Sequence, residues 1–442
     1  MARPSYSEVT QKMPKYRCYI CEQKFNKLKQ CKEHFKQNHP SETVNGLQKR
    51  CAWDGVDLYE KFRDGETKET KETKEPETTL LGFTGEKAVY LDVHEPFCLT
   101  ICGVQGAGKS HTLSVVLENC LIPYEHGCKK PMAALMFHYD NKQSQCEATG
   151  ISTSARKDLK LPKIVVLVSP TFYTQRKSFY SGSGFQVLPL LFDWNSLTAV
   201  QIKTLLYVGD GKQLYIDMLL GLLRKYQREG KIPPFKAFCK EICNGLDCSQ
   251  TKFLNQRLDL LRQFLSESEE NKKHKAYALK QLVKCGTMVV ADITDPMMAP
   301  SDANGIFQVL LQQFRGIDTG CGKVVVCDEA HKYFDKDSGL AKYCVETVRL
   351  MRHEGIRVIV STQTPRTMPP ELLELTTMSI LHKFHSKDWW TYLSNKLPLP
   401  DDGFSKVRLF DQGEALVFTD GEVVECKIRK RITTDKGESK CN

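Results

Sequence analysis

The sequence predicts an α/β fold in which helices cover both faces of a parallel β-sheet. Three observations predict it. Residues 97–121 form an apolar strand, a glycine-rich loop and an amphipathic helix, residues 324–327 form a second apolar run, and residues 356–361 form a third. Residues 196–285 instead place apolar residues at helical spacing, so we expect them to form a helical insertion in this fold. With 442 residues, the chain has room for two or three domains.

Composition excludes several classes of protein. Hydrophobic residues make up 41% of the chain, which is enough for a core. No apolar stretch reaches the length of a membrane-spanning helix, and residues 1–18 lack the apolar segment of a secretory signal. The 18 cysteines are scattered, and several lie in apolar strands, which favours reduced buried thiols over a disulfide framework. We therefore expect a soluble intracellular protein with no membrane partner.

The basic excess of the chain lies at its N-terminus. Residues 1–50 hold 11 Lys and Arg against four Glu, while the whole chain has a formal charge of +10. A basic head of this kind is typical of nucleic-acid binding, although a solvated Lys-rich surface has the same composition.

Residues 14–40 carry the ligand spacing of a small zinc finger. Two residues separate Cys18 from Cys21, 12 residues follow before His34, and four more precede His39. A hairpin would present the two thiolates and a helix the two imidazoles, so that Zn²⁺ completes a tetrahedron. Because so small a module cannot fold on apolar burial alone, the metal supplies folding free energy. We predict that these four side chains bind zinc.

Two alternatives for the finger's partner stay open. Docked as in DNA-reading fingers, its helix would present Lys27, Gln30 and Glu33 to bases. A single finger buries little surface on DNA, and a protein-binding finger is an equal alternative. Residues 63–79 include the repeat ETKETKETKE, which cannot pack into a core and predicts a charged linker.

The glycine-rich loop fits the signature of a phosphate-binding loop. In this signature, backbone N–H groups and the N-terminus of a helix surround the phosphates. Lys109 would contact the β- and γ-phosphates, and Ser110 would bind magnesium. We therefore predict ATP and Mg²⁺ as cofactors, held by the loop residues Gly103, Val104, Gln105, Gly106, Ala107, Gly108, Lys109 and Ser110.

A second acidic strand completes such a site. The valine run 324–326 predicts a buried parallel strand, which ends in Asp328 and Glu329. Asp328 would hold the magnesium shell, and Glu329 would polarise the attacking water. The alternative is that these carboxylates only cap the strand.

The tetrapeptide Asp-Glu-Ala-His at 328–331 is shared with a family of helicases, but its surroundings differ from theirs. Lys109 and Asp328 are 219 positions apart, and the later motifs of those helicases are absent. The roughly 114 residues that follow Asp328 are also too few for a second motor domain.

The sequence after the acidic strand contains motifs of a different class of ATPase. Arg352-x2-Gly355 leads into a strand that ends in Thr362-Gln363, and a Gly-Glu-Ala run opens a closing hairpin. Together these motifs resemble the HerA/FtsK superfamily of ring-shaped DNA-pumping ATPases, and most closely its HerA branch, over residues 85–431. The resemblance implies a RecA-like P-loop NTPase sheet, a homo-hexameric ring, ATP hydrolysis and translocation on double-stranded DNA.

The resemblance also implies roles for individual residues. Gln363 would be the polar sensor that touches the γ-phosphate or the water. Arg352 would be an arginine finger that reaches the nucleotide of a neighbouring subunit. Arg349, one turn earlier, is a competitor, and both could instead be ordinary surface arginines.

Other functions share these motifs. A nucleotide-gated scaffold or signalling NTPase with a protein-binding finger is one alternative, and a mobile-element or viral genome-packaging ATPase is another. A zinc finger joined to such a motor is typical of eukaryotes and their viruses, which makes the nucleus a candidate location. The segment KIRKR at 427–431 is a weak candidate for nuclear import or DNA contact.

Overall fold

A computed structural model describes residues 16–17, 24–25, 49–53, 56–60, 78–140, 146–206, 214–244, 248–419 and 421–435. The chain divides into two compact units, residues 1–75 and 76–442.

The first unit contains a small antiparallel sheet with the strand order β2-β1-β3-β4. Its strands are β1 (Tyr16–Arg17), β2 (Lys24–Phe25), β3 (Lys49–Trp53) and β4 (Val56–Glu60). The predicted zinc ligands Cys18, Cys21, His34 and His39 lie outside the described residues, so the finger over residues 14–40 stays a prediction.

The second unit is built on one sheet of 12 strands. In chain order these strands are β5 (Thr78–Thr84), β6 (Lys87–Asp92), β7 (Cys98–Cys102), β8 (Ala133–His138), β9 (Lys163–Val168), β10 (Gln186–Pro189), β11 (Thr287–Asp292), β12 (Lys323–Cys327), β13 (Ile356–Thr362), β14 (Met378–Leu381), β15 (Glu414–Thr419) and β16 (Glu422–Ile428).

The sheet is mostly parallel. Its order is β10-β9-β11-β8-β12-β13-β7-β14-β15-β16-β5-β6, and the first eight strands of this order all run in the same direction. The last four add antiparallel pairs, including the β15–β16 hairpin at residues 414–428. The central parallel strands β12 and β13 are buried along their whole length, and most of their residues are apolar.

Helices cover both faces of this sheet. They are α1 (Lys109–Leu121), α2 (Tyr173–Phe179), α3 (Ala199–Leu206), α4 (Leu214–Glu229), α5 (Phe235–Cys243), α6 (Cys248–Gln263), α7 (Leu279–Leu282), α8 (Pro300–Arg315), α9 (Gly339–Glu354), α10 (Pro370–Glu374), α11 (Lys387–Ser394) and α12 (Gly403–Leu409).

The sheet has one apolar core on each face, because successive side chains along a strand point to opposite faces. Val324 and Val326 of β12 pack into the cluster that contains the apolar face of α1. Val325 and Cys327 point to the opposite face, where α8, α9 and the helices between residues 199 and 263 pack. The predicted α/β fold with a mostly parallel sheet is confirmed. In the described part of the chain, no helix has the length and apolar character needed to cross a bilayer.

Two expectations about side chains need correction. Cys285 and Cys321, which precede β11 and β12, form a disulfide, whereas we expected reduced thiols throughout. The thiols of Cys98, Cys102, Cys120, Cys146, Cys327, Cys344 and Cys426 are buried and reduced, as expected. In KIRKR, the side chains of Arg429 and Arg431 are only 7% and 3% exposed and lie beside the buried Glu118. These two arginines therefore stabilise the fold and are not available to bind DNA or an import factor.

Candidate nucleotide site

Three neighbouring strand ends build the site. In the order β12-β13-β7, the carboxyl ends lie side by side, with Thr362 opposite Cys102 and Cys327 opposite Val360. The residues that follow these ends therefore meet at one edge of the sheet, where open α/β sheets bind their ligands.

A cavity of about 320 Å³ lies at this edge. It brings together eight of the predicted site residues, namely Gln105, Gly106, Gly108, Lys109, Ser110, Asp328, Glu329 and Gln363. Gly103, Val104 and Ala107 belong to the same loop but are not part of the lining. Seven further residues that the sequence did not single out complete the wall: His111, His138, Asp140, Glu147, Lys332, Gln412 and Asp435.

The glycine-rich loop is held by backbone contacts that require glycine at specific positions. Gly106 has φ 78° and Gly108 has φ 108°, conformations that other residues rarely adopt. A Cβ on Gly108 would also lie 3.0 Å from the backbone nitrogen of Gly413. The N–H of Val104 donates to the carbonyl oxygen of Lys383 at 3.0 Å, which ties the loop to the end of β14.

Lys109 is the buried cation of the cavity. Lys109 is only 4% exposed, and its Nζ donates to the carbonyl oxygen of Val104 at 3.1 Å. Burial lowers the pKa of this lysine, and the nearby carboxylates of Glu329 and Asp328 partly oppose that effect. A polyphosphate bound here would gain a cation that has already lost most of its water.

Asp328 is the buried carboxylate of the same cavity. Burial, followed by the neighbouring carboxylates of Glu329 and Glu147, raises the pKa of Asp328 to about 7. A dication would relieve this repulsion. Carboxylate and hydroxyl oxygens from Asp328, Glu147 and Ser110 are hard donors of the kind that Mg²⁺ prefers. A softer set also exists, because ligand atoms of His138, Cys146 and Asp328 lie within 4.8 Å of one another.

Glu329 has an unusual backbone. Its φ of 48° and ψ of 40° make it the one non-glycine residue with a positive φ in the described part of the chain. Such conformations cost roughly 1–3 kcal/mol and tend to cluster at functional sites. Gln363 Nε2 donates to Glu329 Oε2 at 2.7 Å, and Nε2 of His331 lies 3.5 Å from the same oxygen. Gln363 and His331 therefore fix the direction of the Glu329 carboxylate.

Arg352 does not reach this cavity. It is exposed in the last turn of α9, just before Gly355 and the start of β13, whereas Gln363 follows the end of that strand. The seven residues of β13 span about 23 Å, which is longer than an arginine side chain. Within the described residues, Arg352 forms no ion pair, whereas Arg349 pairs with Glu371 of the same chain.

Sequence reasoning missed His382, which supports the loop from behind. This buried ring follows β14, and its Nε2 accepts a hydrogen bond from Thr112 Oγ1 at 2.8 Å. Its Nδ1 donates to the carbonyl oxygen of Glu414 at 2.9 Å. A Cβ on Gly103 would lie 2.7 Å from the Cβ of His382. A lone histidine directly after the apolar run MSIL was the available indication.

The fold is similar to that of solved structures. VirB4 of Thermoanaerobacter pseudethanolicus aligns with a TM-score of 0.52 and 17% identity, over 80% of this chain and 96% of that one. At this identity the likeness shows the fold alone. It agrees with the predicted RecA-like P-loop sheet.

Weaker matches include the bacterial conjugative coupling protein TrwB, with a TM-score of 0.48, 12% identity, and coverage of 81% of this chain and 90% of that one. The genome packaging NTPase B204 of Sulfolobus turreted icosahedral virus 2, solved with ATP-gammaS, aligns with a TM-score of 0.34 and 12% identity, over 75% and 97% of the two chains. The sequence matches no protein-family model and no curated protein.

The contacts of His382 predict a pH-dependent stability. Burial lowers the pKa of His382 to about 4, while the unfolded chain has the ordinary value of about 6.5. The unfolded state therefore takes up a proton first as the pH falls, and stability is lost between these two values. From pH 7 to pH 5 we expect this residue to reduce the free energy of unfolding by about 2 kcal/mol.

Urea unfolding at both pH values measures this loss. His382→Gln should remove that part of the pH dependence, whereas His385→Gln, at an exposed position three residues later, should retain it. An unchanged pH dependence in His382→Gln would show that this ring titrates normally in the folded protein.

Proposed function

We propose that this chain is a magnesium-dependent ATPase that forms a ring and translocates on double-stranded DNA, as HerA/FtsK-type motors do. One observation carries the ATPase part. Lys109, Asp328, Glu329 and Gln363 line one cavity, although the first two are 219 positions apart in the sequence. A protein that only binds nucleotide needs the loop, whereas hydrolysis also needs the oriented carboxylate of Glu329.

The residues divide the chemistry among them. The N–H groups of the loop and the ammonium of Lys109 bind the β- and γ-phosphates and offset the charge that develops on them. Ser110 and Asp328 would hold Mg²⁺, which supplies further positive charge beside the phosphates. Because Gln363 occupies Oε2 of Glu329, Oε1 is available to accept a hydrogen bond from water.

Hydrolysis then follows as an in-line displacement. The Glu329 carboxylate polarises the water and takes its proton as the water oxygen bonds to the γ-phosphorus. The bond between that phosphorus and the bridging oxygen of ADP breaks, and ADP leaves with the electron pair. The Gln363 amide keeps the carboxylate aimed at the water during this step.

The ring part of the proposal rests on Arg352. This exposed guanidinium has no ion-pair partner among the described residues of its own chain, and β13 separates it from its own cavity. If it acts as an arginine finger, the nucleotide that it reaches belongs to an adjoining subunit. Arg349 is a poorer candidate because Glu371 already neutralises it.

The DNA part rests on the motif resemblance and on the basic N-terminal residues 1–50 with their predicted zinc finger. Binding of duplex DNA would favour the assembled ring and thereby complete each active site with an arginine from the next subunit. A genome-packaging ATPase would use the same chemistry on the same substrate.

ATP turnover with and without duplex DNA tests this function. At low salt and with zinc-loaded full-length chain, we expect duplex DNA to raise the turnover of ATP several-fold, and Lys109→Ala to abolish turnover in both conditions. Turnover that depends on Lys109 but not on DNA would instead indicate a nucleotide-gated scaffold or signalling NTPase. Turnover that persists in Lys109→Ala would show that ATP is not hydrolysed in this cavity and would overturn the proposed site.

Mixed oligomers test the arginine finger. Arg352→Ala keeps an intact cavity, and Glu329→Gln keeps an intact finger, so each variant alone should be inactive. Mixed in equal amounts, they should regain activity, because an Arg352→Ala subunit can receive the finger of a Glu329→Gln neighbour.

Arg349→Ala serves as the matched control, since it removes a charge one turn away and should retain activity alone. If the two inactive variants fail to complement in a mixed ring, or if Arg352→Ala is active, the finger is not Arg352.

A further inference from the structure

The chemistry described so far uses only some of the residues that line the cavity. Lys109 and Glu329 fix the place of the γ-phosphate. A nucleoside triphosphate bound there extends its phosphates past Ser110, so its nucleoside must lie toward the residues beyond. His111 directly follows Ser110, and it lines the same cavity together with Gln412 and Asp435.

Asp435 belongs to the C-terminal segment, residues 429–435, which follows β16. Glu118 of α1 is fully buried and anchors the segment. Its carboxylate accepts hydrogen bonds from Arg429 at 2.7 Å, from the Thr433 hydroxyl at 2.6 Å, and from the backbone N–H groups of Ile432 and Thr433 at 3.1 and 3.0 Å. Charge-assisted bonds to a buried carboxylate are strong. The helix that begins with the phosphate-binding loop therefore also holds this segment in place.

A second set of contacts connects the segment to the start of α1. One ring nitrogen of His111 lies 2.9 Å from the carbonyl oxygen of Arg429. Arg431 donates to Asp435 at 3.2 Å, and the other ring nitrogen of His111 lies 4.0 Å from Asp435. The Asp435 side chain is 45% exposed, and an ionised carboxylate accepts up to about four hydrogen bonds.

A carboxylate beside a triphosphate is repelled by the phosphates, so it does not help to bind them. It can accept hydrogen bonds from the hydroxyls of a ribose or the amino group of a base. An acidic side chain has the ribose-binding role in many dinucleotide sites.

We propose that residues 429–435 form the nucleoside wall of the pocket, and that Asp435 accepts a hydrogen bond from a hydroxyl or amino group of the nucleoside. This inference rests on the proposed function, because it requires a nucleotide on the Lys109 loop. It makes Asp435 a residue that selects nucleosides, and Glu118 a positioning residue that acts through the segment.

Inorganic tripolyphosphate separates this inference from the function itself, because it offers the phosphates without a nucleoside. Binding of ATP and of tripolyphosphate would be measured by calorimetry on full-length wild type, Asp435→Asn and Lys109→Ala. We expect Asp435→Asn to weaken ATP binding about tenfold or more, as expected for a lost hydrogen bond to a charged group. Tripolyphosphate binding should be unchanged or stronger in this variant, because a negative charge near the phosphates is gone.

One further variant is a control, and another is a second test. Asp401→Asn, at an exposed site, should leave both affinities unchanged. Glu118→Gln should weaken ATP binding more than tripolyphosphate binding, because it releases the segment and leaves the loop intact. Deoxy-ATP, which lacks a ribose hydroxyl, and inosine triphosphate, which lacks the amino group of the base, identify the hydrogen-bond donor. The analogue that lacks the donor should bind wild type and Asp435→Asn with equal affinity.

Each outcome decides between the two proposals. If Asp435→Asn lowers the affinities for ATP and for tripolyphosphate equally, or leaves the ATP affinity unchanged, the nucleoside wall is overturned. The ATPase proposal is unaffected by either result. Binding of both ligands that does not respond to Lys109→Ala removes the phosphate site, and the nucleoside wall with it.

Discussion

The hydrogen bond from Gln363 to Glu329 is the contact on which the proposed catalytic geometry depends. Glu329 adopts a left-handed backbone that is costly for a residue with a side chain, and this conformation turns its carboxylate toward the loop of Lys109. Gln363 can hold it there only because β13 lies between β12 and β7 in the sheet. The strand order thus converts three separate sequence motifs into one site.

Electrostatics explain why this site would favour a magnesium nucleotide. Burial acts on both of its charges, since it lowers the pKa of Lys109 and raises that of Asp328 to about 7. Each charge is therefore unfavourable while the cavity contains only protein groups and water. Phosphates beside Lys109 and a dication beside Asp328 would stabilise both charges at once, which is the complementarity expected of a metal–nucleotide site.

The sequence predicted those parts of the fold that depend on local patterns. Apolar runs marked the central strands, and glycine spacing marked the loop before α1. The position of Gln363 beside the acidic strand came from the motif resemblance, and the sheet order agrees with it. The zinc ligands and the roles of the individual site residues, including that of Arg352, remain predictions.

The missed residues share a physical cause, because they act through contacts between segments that are distant in sequence. Thr112 and His382 are 270 positions apart, and Glu118 and Arg429 are 311 apart. In the sequence, Glu118 is an acidic residue within an apolar helix, and Arg429 is part of the basic segment KIRKR. Only their proximity in the fold reveals a buried ion pair. The disulfide between Cys285 and Cys321 likewise depends on the sheet order, which places β11 and β12 on the two sides of β8 and which no local pattern identifies.

The proposed roles, ATP binding by Lys109 and hydrolysis by Glu329, can be measured separately under single-turnover conditions. ATP binding and phosphate release are followed on the same samples. Glu329→Gln should bind ATP with nearly wild-type affinity, while its rate of phosphate release falls by about 10²–10⁴-fold, the usual contribution of a catalytic base. Lys109→Ala should lose the binding itself. A Glu329→Gln variant that releases phosphate at the wild-type rate would contradict the account, because the chemistry would then lie elsewhere.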